Sequence, residues 1–132
     1  MPRRGSRRRR ARLVIVDDHD LARAGLSKLL HGARDLEVIA EASSAREALN
    51  LCLRLRPDLV LMDVRLPDMD GLAATRLIRQ AFTDTRVLLV TMYESADYVA
   101  EASRAGAAGY LLKGSSQLEV LAAVRHALRS ST

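Results

Sequence analysis

The sequence is poor in cysteine, proline and aromatic residues. Its 132 residues include one cysteine (Cys52), three prolines, one phenylalanine, three tyrosines and no tryptophan. A single cysteine excludes an internal disulfide framework and any zinc site built from cysteines. No apolar run approaches the roughly 20 residues of a membrane helix, and the arginine-rich start lacks the apolar segment of a signal peptide. We therefore expect a soluble, cytoplasmic protein that makes no membrane contact.

Positive charge is unevenly distributed along the chain. The net charge is +5, but residues 1–12 hold seven arginines and no acidic residue. From Leu13 onward, 14 basic residues face 16 acidic residues, so this part carries a net charge of −2. We therefore predict a basic, disordered tail over residues 1–12, and assign the basic character to it rather than to a nucleic-acid-binding face of the domain. The tail is either a solvated extension or an arm that binds phosphates without sequence preference.

Short apolar runs alternate with helical patterns five times after the tail. The predicted strands are Leu13–Asp17, Leu36–Ala42, Leu59–Asp63, Val87–Thr91 and Gly109–Leu112. The first, third and fourth are almost continuously apolar, which is typical of strands buried on both faces of a parallel sheet. The second and fifth are weaker and are predicted to be edge strands. The length fits one domain, over residues 13–132.

The segments between the strands show the period of an amphipathic helix. Apolar residues recur at i, i+3, i+4 and i+7 in two of them, namely Ala45, Ala48, Leu49, Cys52 and Ala74, Leu77, Ile78, Ala81. Cys52 is therefore predicted to be a small core residue. Capping boxes begin at Ser44 and Ser116. The helix near Ala96–Arg104 has only modest apolar residues, so we expect it to pack least firmly. Five strand–helix units predict an α/β fold with an open, doubly wound parallel sheet.

Polar residues stand where the predicted strands end. Asp17 and Asp18 follow the first strand, Asp63 ends the third, Thr91 the fourth, and Lys113 follows the fifth. In a doubly wound sheet, ligands bind outside the carboxyl ends of the strands, so these side chains are predicted to converge.

Converging carboxylates repel each other unless a cation lies between them. Mg²⁺ prefers oxygen ligands and is typically held by one or two carboxylates together with phosphate oxygens. An aspartate can attack phosphorus to form an acyl phosphate, and phosphoryl transfer needs charge stabilisation on the transferring oxygens. The Thr91 hydroxyl and the Lys113 ammonium can provide it. The cluster therefore predicts metal-dependent phosphoryl chemistry.

These motifs together resemble the receiver domain of two-component response regulators. They are the Asp17–Asp18 pair, the run from Leu61 to Gly71 that contains Asp63, Thr91, and the run from Gly109 to Lys113. The resemblance covers residues 13–129. The stretches 90–94 and 107–113 are most similar to the LuxR/NarL-type subfamily, whose receivers precede a DNA-binding helix-turn-helix. The resemblance implies a flavodoxin-like (βα)5 fold with strand order 2-1-3-4-5.

The resemblance also implies a metal site and a phosphoacceptor. Asp63 would accept a phosphoryl group from a phosphohistidine of a sensor histidine kinase. Asp17, Asp18, Asp63 and the backbone carbonyl of Arg65 would hold Mg²⁺, for which Mn²⁺ can substitute. His19 lies beside the acids but is interpreted as a loop residue, because Mg²⁺ prefers oxygen to nitrogen.

The resemblance also implies which residues respond to phosphorylation of Asp63. Thr91 and Lys113 would contact the phosphoryl oxygens, and Tyr110 would turn inward. Arg65 and Tyr93 would tune the lifetime of the acyl phosphate. Gly114 follows Lys113 where many receivers have a proline after a cis peptide bond, so that constraint is absent here.

The implied function is a phosphorylation-dependent switch rather than an enzyme acting on other substrates. We expect a transcriptional output through a LuxR-type helix-turn-helix outside this chain, DNA contact only through that output domain, and homodimers promoted by phosphorylation. One alternative is a stand-alone receiver in a phosphorelay or in protein–protein interaction. Another is an aspartyl-phosphate phosphatase, although the haloacid-dehalogenase-like pattern has an aspartate where Arg65 stands. A third is a binding module, either a receiver that no longer phosphorylates or one that binds nucleic acid through its arginine tail.

Overall fold

Five strands alternate with five helices along the chain. The structure is a computed structural model that describes residues 9–92 and 95–129. The elements are β1 (Ala11–Val16), α1 (Asp20–His31), β2 (Leu36–Ala42), α2 (Ala45–Leu55), β3 (Leu59–Asp63), α3 (Gly71–Ala81), β4 (Arg86–Thr91), α4 (Ala96–Arg104), β5 (Gly109–Leu112) and α5 (Gln117–Arg129). This alternation confirms the predicted α/β class.

The strands form one parallel sheet in the order β2-β1-β3-β4-β5. The order confirms β1, β3 and β4 as central strands and β2 and β5 as edges. All five residues of β3 are buried, because helices cover both faces of the sheet. The fold is the predicted flavodoxin-like arrangement.

Successive residues of the central strands enter two separate cores. Val14 and Val16 pack in one core with the buried faces of α2, α3 and α4, whereas Leu13 and Ile15 pack in the other with α1 and α5. Cys52 is fully buried in the first core, as predicted, and burial raises the pKa of its thiol to about 11. Helices therefore pack on both faces of the sheet, and the ends of its strands lie along a common edge.

Helix α4 buries little of its surface. Its one buried residue is Ala102, which agrees with the weak packing predicted from its small side chains. Helix α1 is also sparsely buried, with Leu30 as its one buried residue. The sequence therefore identified a weakly packed helix but did not distinguish it from α1.

Both predicted capping boxes cap a helix. At α5, the Ser116 hydroxyl accepts a hydrogen bond from the Glu119 N–H (3.2 Å), and the Glu119 carboxylate accepts one from the Ser116 N–H (2.8 Å). At α2, Ser44 caps the helix in the same way, but the Glu47 carboxylate accepts from the N–H of Ser43 instead of that of Ser44.

The first strand begins earlier than the sequence predicted. It starts at Ala11 instead of Leu13, because the Ala11 N–H donates to the Asp35 carbonyl and the Arg12 N–H to the Asp58 carboxylate. The last residues of the predicted tail therefore contact the folded domain, and residues 1–8 lie outside the described residues. Within the described ranges, no helix combines the length and apolar character needed to span a membrane.

Candidate metal and phosphoryl site

Two buried aspartates meet at the carboxyl edge of the sheet. Val16 of β1 and Met62 of β3 are partners in register, so the residues that follow them, Asp17 and Asp63, lie side by side. Asp17 is 5% exposed and Asp63 is 3% exposed. Asp18 lies at the more open side of the pair. Ligand atoms of Asp17, Asp18, Asp63 and His19 all lie within 4.8 Å of one another.

Lys113 joins the two buried carboxylates. Its ammonium nitrogen lies 3.0 Å from Asp63 Oδ2 and 3.4 Å from Asp17 Oδ2. The backbone N–H of Lys113 donates to the Thr91 carbonyl (2.8 Å), which extends the pairing of β4 and β5 and aims the side chain across the strand ends. Asp17, Asp63 and Lys113 therefore converge, as the sequence predicted.

The electrostatics of the site are set by burial and by charge pairing. Burial is the largest influence on Asp63 and raises its pKa, and the charge of Asp17 adds to this; hydrogen bonds from Lys113 and the Arg65 N–H oppose the rise. Burial lowers the pKa of Lys113, but the hydrogen bond to Asp63 and the charges of Asp63 and Asp17 outweigh it, so that pKa is raised. Asp18 adds a third carboxylate to the two that pair with Lys113, which leaves an excess of negative charge suited to a divalent cation.

A cavity of about 300 Å³ opens above Asp63. It is lined by His19, Asp63, Val64, Arg65, Thr91, Met92 and Lys113. Thr91 is 2% exposed and ends β4 beside this cavity. The Arg65 N–H donates to Asp63 Oδ1 (3.2 Å), so one carboxylate oxygen faces Arg65 and the other faces Lys113.

The loop after β3 is fixed by the start of α3. Asp70 caps that helix by accepting a hydrogen bond from the Leu72 N–H (2.8 Å), and the Gly71 N–H donates to the Val64 carbonyl (2.7 Å). A Cβ at Gly71 would overlap the Asp63 carbonyl oxygen and lie 2.7 Å from the Val64 Cα. Glycine is therefore needed here for close backbone approach behind the Asp63 carboxylate.

The remaining predicted residues lie in different settings. Tyr110 is half-buried on β5 and packs against the core formed with α2, α3 and α4. Tyr93 lies outside the described residues. Gly114, at the position where many receivers have a proline, has a φ of +85°, a conformation that glycine adopts without steric cost. The sequence showed that the proline is absent, but it did not show that residue 114 has a positive φ.

Arg23 of α1 is a contributor that the sequence did not reveal. Its guanidinium donates to the Asp17 carbonyl (2.6 Å), to Asp20 Oδ1 (2.7 Å) and to Glu41 Oε1 (3.0 Å). It thereby ties the loop that carries the acidic pair to α1 and to β2. The i, i+3 pair of Asp20 and Arg23 is visible in the sequence, but the contacts with Asp17 and Glu41 depend on the fold.

His19 is closer to the acids than a loop assignment alone suggested. Its Nδ1 lies 3.2 Å from Asp18 Oδ1 and 3.4 Å from Asp17 Oδ1, and the residue occupies the N-cap position of α1. Its backbone N–H donates to Asp17 Oδ1 (2.9 Å), which orients that buried carboxylate.

Comparison with known proteins identifies the family. Residues 13–125 match the family described as the response regulator receiver domain. The chain belongs to this family. Response regulator GacA of Pseudomonas viridiflava is 40% identical over 114 residues, and response regulator UvrY of Escherichia coli K12 is 38% identical over 113 residues. Receivers of this family are phosphorylation-dependent switches that normally bind Mg²⁺.

Solved receiver structures share the whole fold. The signal receiver domain of the putative response regulator NarL from Mycobacterium tuberculosis superposes with a TM-score of 0.88 at 35% identity, covering 93% of this receiver and 99% of that chain. A LuxR-family response regulator from Aurantimonas sp. SI85-9A1 gives a TM-score of 0.85 at 38% identity, covering 91% and 86% of the two chains. These neighbours support the NarL/LuxR-type assignment. The chain spans about half the length of these relatives, covering 53% of GacA and 52% of UvrY. Each match takes up 86% of this chain.

Proposed function

We propose that Asp63 accepts a phosphoryl group from a phosphohistidine of a sensor histidine kinase in the cytoplasm. The observation that carries this proposal is the placement of the Asp63 carboxylate. It is buried, lies 3.0 Å from the Lys113 ammonium, and faces a cavity that ends at Thr91. A carboxylate oxygen would form the new P–O bond as the P–N bond of the phosphohistidine breaks, and the bonding electrons would return to the imidazole nitrogen.

The donor set fits a hard divalent cation. Carboxylate oxygens of Asp17, Asp18 and Asp63 lie within one small cluster, and we assign them to Mg²⁺ together with the Arg65 carbonyl. Mn²⁺ accepts the same oxygen ligands and is expected to substitute. When bound, the ion supplies positive charge to the oxygens of the transferring phosphoryl group. His19 is not assigned as a ligand, because a hard cation favours the oxygen donors beside it.

The protein's own groups would then hold the phosphorylated state. Lys113 would donate to a phosphoryl oxygen from the position in which it now donates to Asp63 Oδ2. The Thr91 hydroxyl, at the cavity wall, would donate to a second oxygen. The phosphoryl group adds about −1.5 to −2 charges and three strong acceptors at a point where these donors already converge.

The conformational response would pass from Thr91 to the surface formed by α4 and β5. Movement of Thr91 toward the phosphoryl group would open space into which Tyr110 turns, and the sparsely buried α4 would shift with it. Arg65 is at the cavity wall, where its side chain would tune access of water to the acyl phosphate. We propose the same tuning role for Tyr93.

The output of the switch is proposed to be transcriptional. The NarL/LuxR-type neighbours support a helix-turn-helix output domain in the whole protein, with DNA contacts made through it and with homodimers favoured by phosphorylation. We propose that the receiver is a switch rather than an enzyme, assisting only its own phosphorylation and dephosphorylation. A stand-alone relay role and a phosphatase activity are not needed, and Arg65 occupies the position where the phosphatase pattern requires an acid.

Intact-mass measurement after incubation with a small-molecule phosphodonor and Mg²⁺ tests the proposal. We expect the mass of the chain to rise by about 80 Da, the mass of one phosphoryl group. The isosteric substitution Asp63→Asn removes the nucleophilic carboxylate and is expected to abolish the gain. Asp84→Asn, an exposed change in the loop before β4, should leave it intact. No gain in the parent chain, or an equal gain in Asp63→Asn, would contradict the assignment.

A further inference from the structure

The geometry points to a second binding site, at the amino edge of the sheet, for the phosphate backbone of nucleic acid. It lies at the opposite ends of the strands from Asp63 and does not depend on phosphoryl transfer. Its core is a surface cavity of about 580 Å³ whose charged lining is Arg9, Arg10, Arg34, Arg86, Asp35 and Asp58. Nothing in the receiver chemistry described above uses these residues.

The fold assembles these arginines from distant parts of the chain. Arg9 and Arg10 precede β1, Arg34 precedes β2, and Arg86 begins β4. Because the strands are parallel, their amino ends meet at one edge. The Arg10 guanidinium donates to the Leu36 carbonyl (2.8 Å), which fixes it on the domain without neutralising its charge. Arg9 and Arg10 therefore lie against the fold where Arg34 and Arg86 of the domain also lie.

The two carboxylates of the cavity are already engaged. Asp35 accepts two hydrogen bonds from the Arg125 guanidinium, both 2.9 Å long. Asp58 accepts from the Arg12 backbone N–H at 2.8 Å and lies 3.4 Å from the Arg9 guanidinium. Arg34 is exposed and makes no hydrogen bond or ion pair with the residues that the structure describes. The cavity thus has an excess of positive charge that an anionic ligand would neutralise.

The sequence adjoining the cavity favours a polyanion over a small anion. Residues 1–8 add four arginines and no acidic residue directly before Arg9. Guanidinium groups bind phosphate oxygens in pairs, and a row of them matches the regularly spaced phosphates of a nucleic acid. Amphipathic membrane-binding segments insert apolar side chains into the lipid, and Met1 and Pro2 are the only apolar residues before Ala11. The domain contributes Arg34 and Arg86 to the same surface as Arg9 and Arg10 of the predicted tail.

Fluorescence anisotropy of a labelled 20-base-pair duplex, titrated with the full chain at several salt concentrations, tests the site. We expect sequence-independent binding whose logarithm falls linearly with the logarithm of salt concentration. The triple variant Arg9→Gln/Arg10→Gln/Arg34→Gln should bind about tenfold or more weakly at low salt, and its salt slope should be shallower by about two to three. The matched control Arg46→Gln/Arg54→Gln/Arg76→Gln removes the same charge from exposed positions on α2 and α3 and should lose less than about threefold.

Several outcomes would overturn the site. Equal losses in the two triple variants would show that net charge alone matters, and absence of salt-dependent binding would show that there is no polyanion site. If deletion of residues 1–8 abolished binding while the variant Arg9→Gln/Arg10→Gln/Arg34→Gln still bound fully, the contact would lie in residues 1–8 instead of the cavity. Tighter binding to anionic phospholipid vesicles than to duplex, with the same arginine dependence, would make the partner a membrane. Asp63→Asn should bind the duplex as tightly as the parent chain does. The test of the amino-edge site is therefore independent of the proposed phosphorylation of Asp63.

Discussion

At the scale of single residues, the backbone behind Asp63 is closely packed. Gly71 lies against the Asp63 carbonyl and the Val64 Cα, where no side chain fits. The backbone that orients the phosphoacceptor is thus fixed by the absence of a Cβ, which a search for charged residues does not detect.

Substitution of Gly71 tests this backbone contact. Gly71→Ala should lower the free energy of unfolding by about 1–3 kcal/mol, because the new methyl group displaces the β3–α3 loop. It should also slow phosphorylation of Asp63. Gly25→Ala is the control: apart from its chain neighbours and the backbone of α1, no described atom lies within 4 Å of the Cβ position of residue 25, and alanine favours the helix by about 0.5–1 kcal/mol. Chemical denaturation measures the free energy of unfolding of both variants. Equal stability of Gly71→Ala and the parent would contradict the close contact.

Tyr98 carries a polar group that the fold leaves unsatisfied. Its hydroxyl is buried without a hydrogen-bond partner among the described residues, and burial, with the charges of Asp70 and Glu101, raises its pKa to about 12. Tyr98→Phe should therefore stabilise the domain by about 1 kcal/mol, because it removes a desolvated hydroxyl and keeps the ring. Thermal denaturation of the two proteins measures the change. A destabilised phenylalanine variant would show that the hydroxyl has a partner.

At the scale of elements, the loop after β3 is joined to α2 as well as to α3. Both carboxylate oxygens of Asp68 accept hydrogen bonds at the start of α2, from the N–H groups of Ala45 and Arg46, each 2.9 Å long. These backbone hydrogen bonds lower the pKa of Asp68. The loop that follows Asp63 is therefore hydrogen-bonded to the first turn of α2.

The pH dependence of stability tests this contact. Because the folded-state pKa of Asp68 lies below its unfolded value of about 3.9, its stabilisation is full above that pH and is lost as pH falls through the lowered pKa. Asp68→Asn should destabilise the domain by about 1 kcal/mol at pH 7, and the difference from the parent should shrink in acid. Melting curves of both proteins from pH 7 to pH 3, with Asp84→Asn as control, measure it. A difference that stays constant with pH would contradict an ionised Asp68.

Most strand bounds could be predicted from the sequence. Three strands, Leu36–Ala42, Leu59–Asp63 and Gly109–Leu112, have the predicted bounds, although two of them are the weaker edge patterns. The start of β1 could not be predicted, because its hydrogen bonds go to Asp35 and Asp58, which are distant in the sequence. The convergence of Asp17, Asp63 and Lys113 could also be predicted, since parallel strands bring their carboxyl ends to one edge. The role of Arg23 could not, because its contacts with Asp17 and Glu41 exist only after β1, α1 and β2 have packed.

At the scale of the whole molecule, charge is separated between the two edges of the sheet. The carboxyl edge carries the acidic cluster of Asp17, Asp18 and Asp63, whereas the amino edge carries the arginine cavity. The net charge of +5 for the whole chain hides this separation, because the total does not record where each charge lies. Each edge is therefore suited to a ligand of opposite charge, a divalent cation at one and a polyanion at the other.

The central claim is that Asp63 forms the acyl phosphate, and chemical location of the modified residue tests it most directly. Borohydride reduction after treatment with the phosphodonor converts an aspartyl phosphate to homoserine, which peptide mass spectrometry can place in the chain. We expect homoserine at position 63 in the presence of Mg²⁺ and none when the ion is chelated. Homoserine at another aspartate, or an unmodified residue 63 in a chain that has gained a phosphoryl group, would contradict the claim.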